Sequence, residues 1–229
     1  MRTRTFELAA ILVALLIGAL SVKAQANANT SEPPEIASGS DINYPINSVA
    51  SGLVQLSVSL DASGQVKNVQ TIREVPSLTA PALLAVNGWT FSAARLGGSP
   101  VESDMPVFIV FVPGILNQKS VVLEPAAKPQ GTASSTSADF VAPKVSSAAY
   151  AVYPITSTAT GAVVMNVRIS RTGRVVRASA VYPVASLADS AISAAKAWRF
   201  TPARFRGMPI AWNAVIAYVF RSPTISTTP

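Results

Sequence analysis

The chain has 229 residues and contains no cysteine and no histidine. Without cysteine there is no disulfide and no lipid anchor of the bacterial kind on a thiol. Without histidine, Ser-His-Asp and Cys-His nucleophile systems are excluded, as are the common His or Cys zinc sites. Charge is scarce as well: charged residues are 13% of the chain against 49% hydrophobic ones. That balance excludes a disordered chain of the usual polar kind. No cofactor is expected, and no nucleic-acid recognition motif is present.

Part of the apolar content is concentrated at the start. Arg2 and Arg4 precede an apolar run from Leu8 to Leu20 that only Gly18 interrupts. Val22-Lys23-Ala24, Ala24-Gln25-Ala26 and Ala26-Asn27-Ala28 each offer small residues at the −3 and −1 positions of a cleavage site. This is the layout of a secretory signal over residues 1–24, and the run is short for a membrane span. An uncleaved anchor helix over about Thr5 to Val22 is the alternative, and only then is membrane association expected. Both readings place the rest of the chain outside the cytoplasm.

The main organising feature is an internal repeat. Residue n matches residue n+109 without a gap, giving 23 identities over the 68 positions from Tyr44 to Phe111. Tyr44-Pro45 matches Tyr153-Pro154, Gly64 matches Gly173, and Ser77-Leu78 matches Ser186-Leu187. Trp89-x-Phe91 matches Trp198-x-Phe200, and Val110-Phe111 matches Val219-Phe220. Each copy is therefore expected to be one folding unit. The reading places module one at 41–114 and module two at 149–222, with a loose tether at 25–40, an Ala/Ser/Thr/Pro linker at 115–148 and a tail at 223–229.

Periodicity gives each unit a β-β-α-β order. Val163, Met165, Val167 and Ile169 alternate with other residues, as a half-buried strand requires. Ser170-Arg171-Thr172-Gly173 then turns the chain, and a second strand runs to about Val181. A helix follows, with Ser186 placed as N-cap and Asp189 completing a capping box. Its apolar face is Ala188, Ala191, Ile192, Ala195 and Trp198, matched in the first copy by Ala82, Leu83, Val86 and Trp89. Thr201-Pro202 stops it, and a last strand runs from about Ala211 to Phe220. The expected class is α+β: two tandem antiparallel sheets, each with one helix on it.

In order and spacing these residues resemble the C-terminal domain of the TonB family. Copy two carries Tyr153-Pro154, Gly161-Ala162-Val163, Gly173-Arg174-Val175, Trp198-Arg199-Phe200-Thr201-Pro202-Ala203, Gly207-Met208-Pro209-Ile210 and Phe220. Copy one carries Asp61-Ala62-Ser63-Gly64-Gln65-Val66, with Ala93 where the pattern has Pro before Ala94. The resemblance implies a periplasmic module that grips a short segment of an envelope protein such as an outer-membrane transporter. The segment is gripped by adding as a strand to an open sheet edge. Full energy transducers of that family have a histidine in their membrane helix and a long Pro-Glu/Pro-Lys spacer, and this chain has neither. A short transducer anchored in the inner membrane stays open as an alternative.

The copies differ where function is expected. From Tyr44 to Phe111 three cations stand against four acids, a net of −1; from Tyr153 to Phe220 eight stand against one, a net of +7. The last strand of copy one contains Pro106, which removes a ladder donor. The Pro-free last strand of copy two is the expected docking edge, with Trp212, Asn213, Val215, Ile216 and Tyr218 as candidate partner-binding residues. Trp212 matches Ser103 in copy one and so is no part of the shared scaffold. A rival arrangement covers both last strands with the opposite copy or the linker, since 70 residues are few for a self-sufficient core. Arg168, Arg171, Arg174 and Arg177 crowd one hairpin and form a candidate anionic-surface site for phosphate or carboxylate, and a structural envelope protein that binds peptidoglycan or anionic lipid through them is a further alternative. Ser193-Ala194-Ala195-Lys196 fits a Ser-x-x-Lys motif, but no Lys-Thr-Gly or Ser-Asp-Asn companion exists. No catalytic residue is assigned, and an enzyme is not expected.

Overall fold

A computed structural model of the chain describes residues 31–112, 122–123 and 139–222. The signal or anchor, most of the linker and the tail lie outside the described residues. Strands β1 (Ser31–Glu32) and β2 (Glu35–Ser38) precede a hairpin of β3 (Gly52–Leu60) and β4 (Val66–Arg73). Helix α1 (Thr79–Asn87), short strands β5 (Thr90–Ser92), β6 (Ala94–Leu96) and β7 (Ser99–Val101), and the long β8 (Ser103–Val112) follow. After β9 (Val122–Leu123) the order returns: β10 (Phe140–Val141), β11 (Lys144–Ala149), β12 (Gly161–Ile169), β13 (Val175–Tyr182), α2 (Ala185–Ala197), β14 (Arg199–Thr201), β15 (Ala203–Phe205), β16 (Met208–Ile210) and β17 (Trp212–Phe220).

The expectation of two separate antiparallel sheets is corrected. The two hairpins and two last strands form a single six-stranded sheet in the order β13-β12-β17-β8-β3-β4. At its centre β17 and β8 run parallel, while every other pairing in it is antiparallel. The parallel ladder opens at Val107, the first residue after Pro106. The proline thus falls where its missing N–H is not asked to bond across the centre.

Parity explains how the two copies meet. Val107 lies beside Val215 and Val112 beside Phe220, an offset of 108 against the 109 of the repeat. Directly opposed side chains share a face, and successive ones alternate. The one-residue difference therefore puts equivalent residues on opposite faces. Val107, Ile109 and Phe111 face the core with α1's Ala82 and Val86. Their equivalents Ile216, Tyr218 and Phe220 face the core with α2's Leu187, Ala191 and Ala195. A pseudo-two-fold axis along the central strands relates the copies, and each helix covers one side of the common sheet.

Leu53, Phe108, Val110 and Val112 of copy one are buried in the α2 core. Ala162, Val164, Val215, Ala217 and Val219 of copy two are buried in the α1 core. Neither copy closes its own core, as burial arithmetic for units of this size leads one to expect.

The shared motifs have structural roles. Tyr44 Oη donates to Ala50 O at 2.6 Å and Tyr153 Oη to Ala159 O at 2.8 Å, each closing its Tyr-Pro turn. The hydroxyls of Ser48 and Ser77, 2.7 Å apart, and of Ser157 and Ser186, 2.8 Å apart, tie those turns to the helix starts. The expected capping box is thereby corrected: Ser186 spends its hydroxyl on Ser157, the N-cap is Val184, and no side chain caps α2. Gly64 and Gly173 have positive φ and lie against the Trp-x-Phe segments. Phe200 N donates to Gly173 O at 2.8 Å.

The loose tether and the end of the linker also need correction, because residues 31–38 and 140–149 are strands. Glu35 pairs with Ser92 in β2–β5 and Lys144 with Thr201 in β11–β14, so the repeat extends upstream of the Tyr-Pro turns. The tryptophans hold these straps. Trp89 Nε1 donates to Ser40 Oγ at 3.2 Å, and Trp198 Nε1 to Ala149 O at 3.2 Å and Tyr218 Oη at 2.8 Å.

Candidate functional site

Alternation along β17 faces Val215, Val219 and Ala217 to one core and Ile216, Tyr218 and Phe220 to the other. From Val215 to Phe220 it has β12 on one side and β8 on the other, and from Trp212 to Ala214 it pairs with β12. This corrects the expected docking edge. Val215, Ile216 and Tyr218 are completely buried, and Trp212 and Asn213 nearly so. Trp212 is no exposed contact. Its ring packs against Phe140 at 4.5 Å between centroids, the planes inclined at 45°, and its Nε1 donates to Asp104 O at 3.2 Å. Tyr218 Oη donates to Ala149 O at 2.7 Å, and burial pushes its pKa far above the ordinary phenol range. Asn213 Nδ2 donates to Pro34 O at 3.0 Å and Glu35 Oε1 at 3.2 Å, pinning the β2 strap across the sheet.

What remains open are the outer strands. Among the described residues β13 pairs only with β12, and β4 only with β3. These two edges are equivalent under the pseudo-two-fold but carry different side chains. In copy two a row runs across the sheet on the α1 side: Asn213, then Arg168 directly opposite it, then Arg177 directly opposite Arg168. In copy one the equivalent row is Asp104, Ser59, Asn68. There Ser59 Oγ donates to Asp104 Oδ1 at 2.8 Å. In copy two Arg168 Nη1 donates to Asn213 Oδ1 at 3.2 Å. The structure thus brings Arg168 and Arg177 together on one face.

Like charges directly opposed across a ladder are destabilising. Arg168 is eased by its bond to Asn213 and by the nearby carboxylate of Glu35. Burial still holds its pKa below the ordinary guanidinium value. Arg177 is exposed and forms no ion pair among the described residues. Arg171 sits in the hairpin turn, and Arg174 bridges to Arg199 just before β13 begins, so the free edge is Val175 to Tyr182. Arg199 is committed elsewhere, since its Nη1 donates to the carbonyls of Lys196, Ala197 and Trp198 at the end of α2. The ion pairs Lys67–Glu102 and Arg206–Asp139 are exposed and add little to stability.

The opposite end of the sheet carries the Tyr-Pro turns. Ile46 and Ile155, equivalent residues, are 91% and 79% exposed there. Beside them a cleft of about 370 Å³ is lined by Asp41, Tyr44, Ile46, Gly161, Phe220 and Arg221. Asp41 Oδ1 accepts from Ala162 N at 2.7 Å, joining the strap of copy one to the first turn of β12. Sequence reasoning missed Asp41 and Glu35, because their partners lie more than a hundred residues away.

A family model described as Gram-negative bacterial TonB protein C-terminal matches residues 42–113. No curated protein and no solved structure matches the chain.

Proposed function

With residues 42–113 belonging to the TonB C-terminal family, a family of protein-interacting envelope domains, we propose that this chain is a periplasmic partner-binding protein of a TonB-type system. In this reading residues 140–221 form a second module of the same kind, and a segment of an envelope protein adds as a strand to an outer edge of the sheet. An outer-membrane transporter is the kind of partner meant. The observation that carries the reading is the consumption of both last strands at the centre. Among the described residues it leaves β13 and β4 as the outermost strands, β13 with no second strand beside Val175 to Tyr182, the feature that strand addition requires. No helix among the described residues is long and apolar enough to cross a membrane.

The test is amide exchange on the full exported chain with a panel of extended peptides from periplasm-facing segments of outer-membrane transporters. Protection of β13 or β4 amides, with β17 unchanged, is the expected result. Peptides that bind and leave both edges exchanging as before would refute strand addition.

A further inference from the structure

The edge of β13 carries more information than an open backbone. Arg177 is the outermost member of the row Asn213–Arg168–Arg177, and the row ends in solvent. Copy one shows that the fold does not need arginines here: Ser59 and Asn68 occupy the same two places. Both guanidiniums thus stand where the scaffold accepts small neutral groups, in a pairing that repels. Inward, Arg168 has Asn213 Oδ1 as acceptor and Glu35 nearby. Outward, Arg177 has no acidic neighbour in ion-pair range among the described residues. The one acid of copy two from Tyr153 to Phe220, Asp189, belongs to α2 on the opposite side of the sheet. The unfilled place in the row is the position directly opposite Arg177 on a strand that does not belong to the folded sheet.

We infer that the β13 edge takes an extended acidic peptide segment whose carboxylate stands directly opposite Arg177. This deepens the proposed function and rests on it. Directly opposed residues on neighbouring strands share a face with their Cβ atoms about 5 Å apart. An Asp or Glu at that one register position completes the row as amide, guanidinium, guanidinium, carboxylate. The flanking positions meet different chemistry. Two residues along on the same face the new strand passes Ser179, which pairs with Asn166, and a small polar residue suits that place. On the other face Ala178 and Ala180 pack against the α2 core, so small apolar residues extend it. Arg174 and Arg171, at the turn, favour further acidic residues beyond the strand's end. At the equivalent register position the β4 edge presents Asn68 instead of Arg177; of its own cations Lys67 is paired with Glu102 and Arg73 lies at the far end of the strand.

The test uses the full exported chain and labelled peptides that alternate Val and Thr around one central Glu, read by fluorescence anisotropy at low salt. The Glu peptide should bind more tightly than its Gln counterpart, and the Lys counterpart most weakly. Replacing Arg177 with Gln should weaken the Glu peptide about three-fold, the size of a cross-strand charge pair, and leave the Gln peptide unchanged. Arg177→Glu should reverse the order so that the Lys peptide wins. That reversal cannot come from a folding defect. Equal binding of the three peptides, with β13 amides still protected, would sink the carboxylate site while leaving strand addition in place. Protection of β4 alone would sink the carboxylate site but not strand addition, and no peptide protecting either β13 or β4 would sink both. Binding to phosphatidylglycerol vesicles that drops in Arg177→Gln, with no peptide bound, would overturn the proposal in favour of an anionic surface.

Discussion

Gly173 and Gly207 share one backbone conformation, φ = 76° for both, yet their surroundings differ completely. A Cβ on Gly207 would have nothing within 4 Å, whereas a Cβ on Gly173 would stand 1.8 Å from the carbonyl oxygen of Phe200. Alanine at 207 should cost only the left-handed penalty, about 1–2 kcal/mol. Alanine at 173 carries that penalty and must also push the Trp-x-Phe backbone away. The Phe200 N–H···O bond to Gly173 would be lost, at about 1 kcal/mol. Trp198 and Phe200 would be displaced from the α2 core, where loosened packing of large side chains costs a further 1–3 kcal/mol or so. The total should reach about 3–6 kcal/mol, a large share of the stability of a small domain. Gly64→Ala should fall between, because its Cβ would meet Phe91 O at 2.6 Å. Urea unfolding followed by tryptophan fluorescence gives the three values from midpoints at constant slope. Losses at 173 and 207 that agree within about 0.5 kcal/mol would refute the claim that close backbone approach selects this glycine.

Other perturbations have equally definite outcomes. Residues 31–112 alone would expose Phe108, Val110 and Val112 and the free edge of β8, so this fragment should self-associate in size-exclusion chromatography; a folded monomer at high concentration would contradict the shared core. Tyr218→Phe removes a buried hydroxyl that bonds Ala149 O and Trp198 Nε1, and should cost about 1 kcal/mol in the same unfolding assay. Asp61 is held below the usual carboxylate range chiefly by the Ser63 hydroxyl, then by the backbone N–H of Gln65. A depressed folded-state value gives stability that is present above the ordinary carboxylate pKa and is lost as pH falls through the folded value. The amide protection factors of the β3–β4 turn, taken relative to intrinsic exchange at each pH, should therefore fall on acidification, while those of the β12–β13 turn, capped by the neutral Ser170, stay unchanged. Asp61→Asn should abolish that difference.

The sequence was legible where the physics is local. Alternation marks the long strands, positive-φ glycines mark the hairpin turns, and helical spacing marks Ala191, Ala195 and Trp198 as one face. What escaped was set by distant partners. β17 reads as a free last strand because nothing in Trp212 to Phe220 shows that β8 will lie beside it. That pairing depends on register across more than a hundred residues. A hint was present: β17 and β8 are apolar at successive positions, and strands buried on both faces read as continuous apolar runs. Ser31 to Ser38 reads as a tether because Pro33, Pro34 and single polar residues give no period. They become strands because the backbones of β6 and β5 are there to receive β1 and β2. The arginines were visible as charge, but their arrangement as a row needed the ladder registers.

The one-residue difference between the central ladder and the repeat has one more consequence. Two identical chains joined by the same symmetry would display identical outer strands and would offer equal docking at both ends. Joining the copies in one polypeptide frees them from that constraint. Each outer strand can change alone, and only one of them has gained arginines opposite each other. The sheet thereby acquires a polarity: one flank with two arginines directly opposed, and one with Ser59 and Asn68 in their places. Docking selected by that flank alone would give one-to-one complexes, in a sheet whose geometry is otherwise that of a symmetric pair.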